Sequence, residues 1–490
     1  MTDSPRVLRY LDHALFGSIM LLAIAAPISI AATQTAWALS ILFWLARLVF
    51  TRPQVGIDSM TVAVLAFVGL TLISSFFSYE PEVSLRKMVA VSLVSIAYLV
   101  FSAIKTARAM RTVVAVLILA STVTAIYTIG RAAAGNNLKV VKLSPDSPLR
   151  VAGVLENDTI ISFNGAEIDS PDELAGAIEG RQSSGPATLR VYRFETYFEY
   201  ELSSGVSAPQ MGILEWSRGR DVRAAGFYGH YTTYAESVQL VGSLALGLLV
   251  LIPGGIFARY RVLLAAALLL LGIGLFLTVT RASWAGFALS AAVIVVIGAS
   301  RKALVICVLF AIPVAAVGLI YLQQKRNVAF VDAKDGSTTW RTTVWREAGR
   351  VIMSDPRHLA VGVGMDSIKT HWQEWQMFDN GRLPMGHMHS TPLQFAFERG
   401  VPALIAWLVW IFLFFRLLWR GYRRADLGWF ERGVLLGCLG GTTGFLASGL
   451  VHYNWGDSEV VMIFYLLTGL AISISRQDQI EVFVDEGGRI

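Results

Sequence analysis

The stretch ARYRVLLAAALLLLGIGLFLTVTRASWAGFALSAAVIVVIGASRK at 258–302 holds two apolar runs, 261–279 and 283–299. Each is long enough to cross a hydrocarbon core roughly 30 Å thick. Arg259 and Arg261 precede the first run and Arg301 and Lys302 follow the second, so the basic ends share one side, while Arg281 between the runs falls on the other. Lys and Arg in short loops mark the cytoplasmic side. The same reading extended along the chain gives about twelve spans: 13–31, 34–50, 59–77, 87–104, 112–130, 230–252, 261–279, 283–299, 303–321, 399–418, 432–450 and 458–475. A tight hairpin around Thr33 to Thr35 would join the first two. Arg6 and Arg9, Arg47 and Arg52, Lys105, Arg108 and Arg111, and Arg416, Arg420, Arg423 and Arg424 all fall on the side of Arg259. Both termini are then cytoplasmic.

Composition agrees with an all-α polytopic membrane protein. Of 490 residues, 54% are hydrophobic and 16% charged, and the mean hydropathy is +0.56; a soluble chain would carry about 25% charged residues. The net charge of +6 therefore reflects cytoplasmic loops and gives no reason to expect nucleic acid as a partner. Cys307 and Cys438 both fall in expected spans and offer neither a disulfide framework nor a zinc spacing. The N-terminus shows no removable signal peptide, so the first span is expected to direct insertion.

Five spans occupy 1–130, four occupy 206–321 and three occupy 399–475, followed by a short cytoplasmic tail at 476–490. The hydrophilic segments 131–229 and 322–398 lie outside, and any chemistry they carry takes place there. Within the first, 137–205 changes to short β-branched runs, turn residues and one amphipathic helix at 171–179 opened by Ser170 and Pro171. Ser147, Pro148, Ala152, Gly153, Asp158, Ile160, Ile161, Asn164 and Gly165, with the strand TLRVYRF at 188–194, give this α+β insert a resemblance to bacterial PDZ domains. It departs from them at Asn157, where Gly is usual, and in having no Gly-Φ-Gly-Φ loop before Val140. A docking site for a protein partner and a rigid spacer both remain open. A PDZ-bearing intramembrane zinc protease would need H-E-x-x-H, which the seven histidines do not form.

Charges at the membrane boundary are functional candidates. Arg223, Arg281 and Arg341 fall at the outer boundary with few nearby acids, and guanidinium forks suit a diphosphate. Snorkelling to lipid headgroups would explain any one of them. Helical spacing of Trp340, Val344, Ala348, Val351 and Ile352 predicts an amphipathic helix. In GHMHSTPLQFAFERGVP, Ser390 or Thr391 caps a helix with Pro392 in its first turn, Gly400 breaks it and Pro402 opens the next span. His389 then stands just before a helix N-terminus, where the partial positive charge keeps imidazole neutral and available as a base. A bland alternative has His389 bonding only to its own loop. His387 makes H-x-H with it, a weak metal signature without a third ligand, and no metal is expected.

Four pieces together resemble the O-antigen ligase and Wzy-type polymerase superfamily: R-x-x-G-F-x-G-H-x-x-T-Y-A at Arg223 to Ala235, T-x-x-R-A at Thr278 to Ala282, T-x-W-R with P and G-x-G at Thr338 to Gly364, and H-S-x-x-L-Q-x-x-x-E-x-G at His389 to Gly400. VHYNWGDSEVVMIFYLLTGL at 451–470 looks like the family's penultimate outer turn. The resemblance implies a GT-C-like, metal-independent glycosyltransferase of the bacterial inner membrane, with no cofactor and with its site on the periplasmic face. The implied donor is an undecaprenyl-diphosphate-linked glycan; the acceptor is lipid A-core for a ligase, a growing chain for a Wzy-type polymerase, or protein for an O-oligosaccharyltransferase. His389 would be the general base, Arg341 and Arg281 would hold the diphosphate, and Arg223 would support them, with His387 and His230 as further candidates. The family's usual His-Asn is His-Ser here, so no role passes to Ser390. A single base implies inversion at the anomeric carbon. The absence of a D-x-D motif or carboxylate cluster from the outer loops suits a mechanism without metal. A different class, a glycan transporter or a PDZ-bearing scaffold, would place ionisable residues near mid-membrane or break its helices.

Overall fold

The computed structural model describes residues 4–51, 58–180, 187–193, 196–202, 211–220, 222–301 and 336–476, with isolated positions between 305 and 320. Most of the expected span 303–321, the loop start 322–335 and the tail 477–490 lie outside the described residues. Among the described residues, nine helices are long and apolar enough to cross a membrane, including Ala107–Ala134, Tyr231–Leu251, Thr391–Tyr422 and Ser458–Ser475. Ile30–Leu48 and Trp429–Gly449 form helices at two further expected spans.

The hairpin between the first two helices turns earlier than its sequence suggests. Ser4–Ala25 ends before Pro27, and Ser29 caps Ile30–Leu48 by accepting from the Ala32 amide. Thr33 and Thr35 stay helical because their hydroxyls donate to the Ser29 and Ala31 carbonyls, one turn back, at 2.7 and 2.8 Å. Buried Ser18 and Ser40 hydroxyls, 2.8 Å apart, tie the two helices together. The fourth expected span begins at Pro81 and bends through a 3₁₀ turn at Ser92–Val94.

One end of the bundle gathers ion pairs: Arg47 and Lys105 on Asp12, each at 2.9 Å, Arg111 on Glu431 at 3.6 Å, and Arg476 on Asp58. The opposite end carries the insert and the 336–398 segment. Ala107–Ala134 has 28 residues, about 42 Å at the usual rise, more than the core requires, and the sheet follows from its end.

That sheet is antiparallel, ordered β5-β4-β2-β1-β6, with the short β3 on β2. Its strands are β1 Leu138–Leu143, β2 Thr159–Phe163, β3 Ala166–Glu167, β4 Ala187–Arg193, β5 Thr196–Leu202 and β6 Ile213–Arg218. It thus runs past the 137–205 stretch, since β6 pairs with β1. Its core is separate from that of the bundle and includes Leu138, Val140, Ile160, Leu174 and Val191. Asp158 is buried and accepts from Arg193 Nε and Nη2 at 2.6 Å each, while Arg193 also reaches the Gly153 carbonyl at 2.7 Å. Asn157 has φ 72, which explains both the family's Gly and the acceptance of Asn, the side chain that best tolerates the left-handed region.

The 336–398 segment has its own core around Val344, Ala348, Met377, Phe378, Met388 and Phe397. It docks on the bundle by backbone. Val363 and Gly364 amides donate to the Phe397 and Glu398 carbonyls at 2.9 and 2.8 Å, and the Tyr79 amide donates to Val363 at 3.1 Å. Gly364 has φ 96, and a Cβ there would overlap Ser78; Gly400 has φ 81, and a Cβ there would meet the Ala360 carbonyl. The expected break at Gly400 is therefore real, and its left-handed conformation permits the close approach. Gly364→Ala is expected to cost about 2 to 4 kcal/mol through overlap and backbone strain, read as a lowered melting temperature of the full chain in detergent. Gly349→Ala, where nothing lies within 4 Å, should leave it unchanged.

Candidate active site

His389 reaches its position through clamps on its neighbours. Trp340 and Trp345, on the helix Gly336–Ser354, donate their indole N–H groups to the Pro384 and Met388 carbonyls at 3.0 and 2.7 Å. The fully buried Met388 donates its amide to Gln394 Oε1 at 2.7 Å. With Met388 turned inward, His389 takes φ 45 and its ring faces a cavity of about 670 Å³. Ser390 occupies the cap position of Thr391–Tyr422 without a side-chain capping bond, and Pro392 follows in the first turn.

Four histidines line this cavity: His230, His387, His389 and His452. The His389 ring lies 4.2 Å from His387, 5.9 Å from His452 and 4.8 Å, edge-on, from Trp340. The His389 Nδ1 is buried with no hydrogen-bond partner among the described residues. Burial, then the neighbouring histidines and the Arg341 charge, push the His389 imidazole down to about 2. Burial and the adjacent histidines push His387 down to about 4, and burial, His452 and Arg223 do the same for His230. These three rings are neutral near pH 7.

The arginines separate into two groups. Arg341 acts on His389 directly through its charge. Arg223 is 8% exposed, donates to the Thr278 and Val279 carbonyls at 2.7 Å each and to Thr280 Oγ1 at 3.1 Å, and lies 3.5 Å over the Tyr231 ring. It thus stabilises the negative C-terminal end of Ala258–Leu277 and the strained turn at Val279, φ 52, after which Arg281 begins the next helix. None of Arg223, Arg281 and Arg341 is among the described residues that line the cavity. The geometry suits Arg223 to positioning, and Arg341 is tied to the site by its charge beside His389.

The cavity itself carries acids. Asp366, Glu398, Asp457 and Glu459 all line the cavity. Lys87 and Lys369 pair with Asp366 at 2.8 and 2.9 Å; burial works to raise its carboxyl, and these cations hold it below the usual range. Asp457 accepts from Thr233 Oγ1 at 2.5 Å, and burial with Glu459 and Glu236 nearby raises it well above the usual carboxylate range. Arg399, 6% exposed, stacks over Phe395 at 4.2 Å and donates to the Met365 sulfur and the Tyr453 hydroxyl at 3.6 and 3.4 Å.

His452 and Glu236 are the residues the sequence reading passed over. His452 Nδ1 stands 3.1 Å from Glu236 Oε1. The turn bearing His452 is fixed by Asn454, which accepts from Thr391 Oγ1 at 2.9 Å and donates to the Phe445 carbonyl at 2.6 Å. A signal for Glu236 existed, since an acid inside an apolar span is a functional candidate by itself.

Against this geometry, a family model described as O-Antigen ligase matches residues 265–408. No curated protein matches the chain. The matched segment contains Arg281, Arg341, His387 and His389, and over these residues the chain is similar to the O-antigen ligase family.

Proposed function

We propose that the chain is an inner-membrane, multi-pass ligase that transfers a glycan from undecaprenyl diphosphate to an acceptor hydroxyl, with lipid A-core as the acceptor. The observation that carries this reading is the neutral His389 ring facing the cavity beside the Arg341 charge, within the family-matched segment. His389 takes the proton of the incoming hydroxyl as that oxygen attacks the anomeric carbon. Arg341 stabilises the departing diphosphate, with Arg281 as a second anion-binding group set by Arg223, so that no metal ion is called upon. One displacement inverts the anomeric configuration, and retained configuration in the product would count against it.

In this reading twelve spans with both termini cytoplasmic would bring the site to the periplasmic face, a side supported by the Lys and Arg clusters of the short loops. The PDZ-like insert serves a protein partner there. In support, β6 is an edge strand whose Leu214 and Trp216 are 62% and 42% exposed, which suits strand addition.

Cells lacking the chain test the reading through the lengths of their undecaprenyl-linked glycans. Long untransferred chains are expected, whereas accumulation of single repeat units would make it a polymerase. His389→Ala is expected to lower transfer by about 10²- to 10⁴-fold and Arg341→Ala by about 10²- to 10³-fold, with membrane insertion unchanged; normal transfer by both would remove this site. The lowered histidines also predict acid sensitivity. Between about pH 4 and 6.5 the unfolded chain binds more protons than the folded one at His387 and His230, and at His389 this continues down to about 2. Their contribution to stability is complete above pH 6.5 and is lost on acidification. His389→Gln should therefore reduce the fall in melting temperature between pH 7 and pH 4.5.

A further inference from the structure

Glu236 lies in the second turn of the Tyr231–Leu251 helix and is fully buried. Neither of its carboxylate oxygens has a hydrogen-bond partner among the described residues, and the group that faces it is His452, whose Nδ1 is 3.1 Å from Oε1. A buried carboxylate inside a span is costly unless a cation or a proton neutralises it. His452 comes from a different element, the turn between Trp429–Gly449 and Ser458–Ser475, and its ring also lines the cavity, 5.9 Å from His389 and 6.0 Å from His387. The pair therefore joins a buried anion to the wall of the candidate active site.

We propose that the Glu236–His452 pair is the proton-holding station of the site, receiving the proton that His389 removes from the acceptor hydroxyl. This rests on the transferase reading and adds the fate of the proton to it. Among the described residues His389 has no carboxylate against its ring, and it faces the charge of Arg341, so an imidazolium is not sustained there. His452 has Glu236 at one nitrogen, which leaves the other to accept the proton while the carboxylate balances the charge. The acceptor O–H bond breaks and its proton passes through His389 to His452. The oxygen's electron pair forms the bond to the anomeric carbon, and the carbon–oxygen bond to the diphosphate breaks with its electrons leaving on the diphosphate. The proton departs with the diphosphate when it is released, restoring the pair. His452 lines the site, and Glu236 is a positioning residue that acts through it. Asp457 and Glu459 begin the neighbouring helix, and His230 and His387 complete the titratable surroundings.

The test uses the full chain purified in detergent, with undecaprenyl-linked glycan extracted from cells lacking the protein as donor and lipid A-core as acceptor. Glu236→Gln and His452→Gln are each expected to lower kcat by about 10²-fold, with KM for the donor and the melting temperature close to wild type. Glu236→Asp should recover part of the rate, and the double variant should be no slower than either single one. Wild-type kcat in both single variants overturns the proposal, as does a loss that follows a collapsed melting temperature in both. If Glu236→Gln alone fails to fold, His452→Gln decides. His389→Ala separates the two readings. Its inactivity beside active pair variants sinks the station alone, and its full activity sinks the transferase site with it.

Discussion

Backbone-to-backbone docking of residues 363–364 on residues 397–398 is the constraint from which the site follows. Three left-handed glycines, Gly362, Gly364 and Gly400, let two chain segments approach more closely than any side chain would allow. The Ser74 hydroxyl closes the same junction by donating to the Glu398 carbonyl at 2.9 Å. Because Thr391–Tyr422 breaks at Gly400, its first turns can lie against the 336–398 segment while the remainder continues into the bundle. The orientation of His389, Gln394 and Arg399 toward one cavity depends on that break.

The bundle is packed around a polar interior at the same end. Gln239 donates to Ser290 Oγ at 2.8 Å and to the Gly441 carbonyl at 3.1 Å, and Gly247, Gly433 and Gly437 bring Tyr231–Leu251 against Trp429–Gly449 with no room for a Cβ. Small residues at helix contacts are how membrane helices pack closely without a hydrophobic driving force between them. This contact holds Glu236 and the His452 turn in register, so the packing of two spans fixes a distance between side chains more than 200 positions apart in the sequence.

Charge is handled differently at the two ends. Ion pairs around Asp12, Asp58 and Glu431 are partly exposed and join helix termini, an arrangement of modest energy at a surface. Around the cavity, among the described residues, Arg399 has no carboxylate hydrogen-bond partner and Glu236 faces one histidine. Such incomplete neutralisation is costly in an apolar setting.

The apolar runs, the amphipathic helix at 336–354 and the Ser390–Pro392 helix start were all legible in the sequence, because each depends on local periodicity or on the chemistry of one or two residues. The four histidines' convergence was not, nor was the separation of Arg341 from Arg223, since both depend on which spans pack together. The turn at Pro27 was misplaced by a few residues because Thr33 and Thr35 satisfy their hydroxyls within the helix. Sequence alone thus determined a chain of helices long and apolar enough to cross a membrane. Tertiary packing decided which ionisable groups share the cavity, because a span records only its own hydrophobicity while the partner of a buried charge lies on another helix.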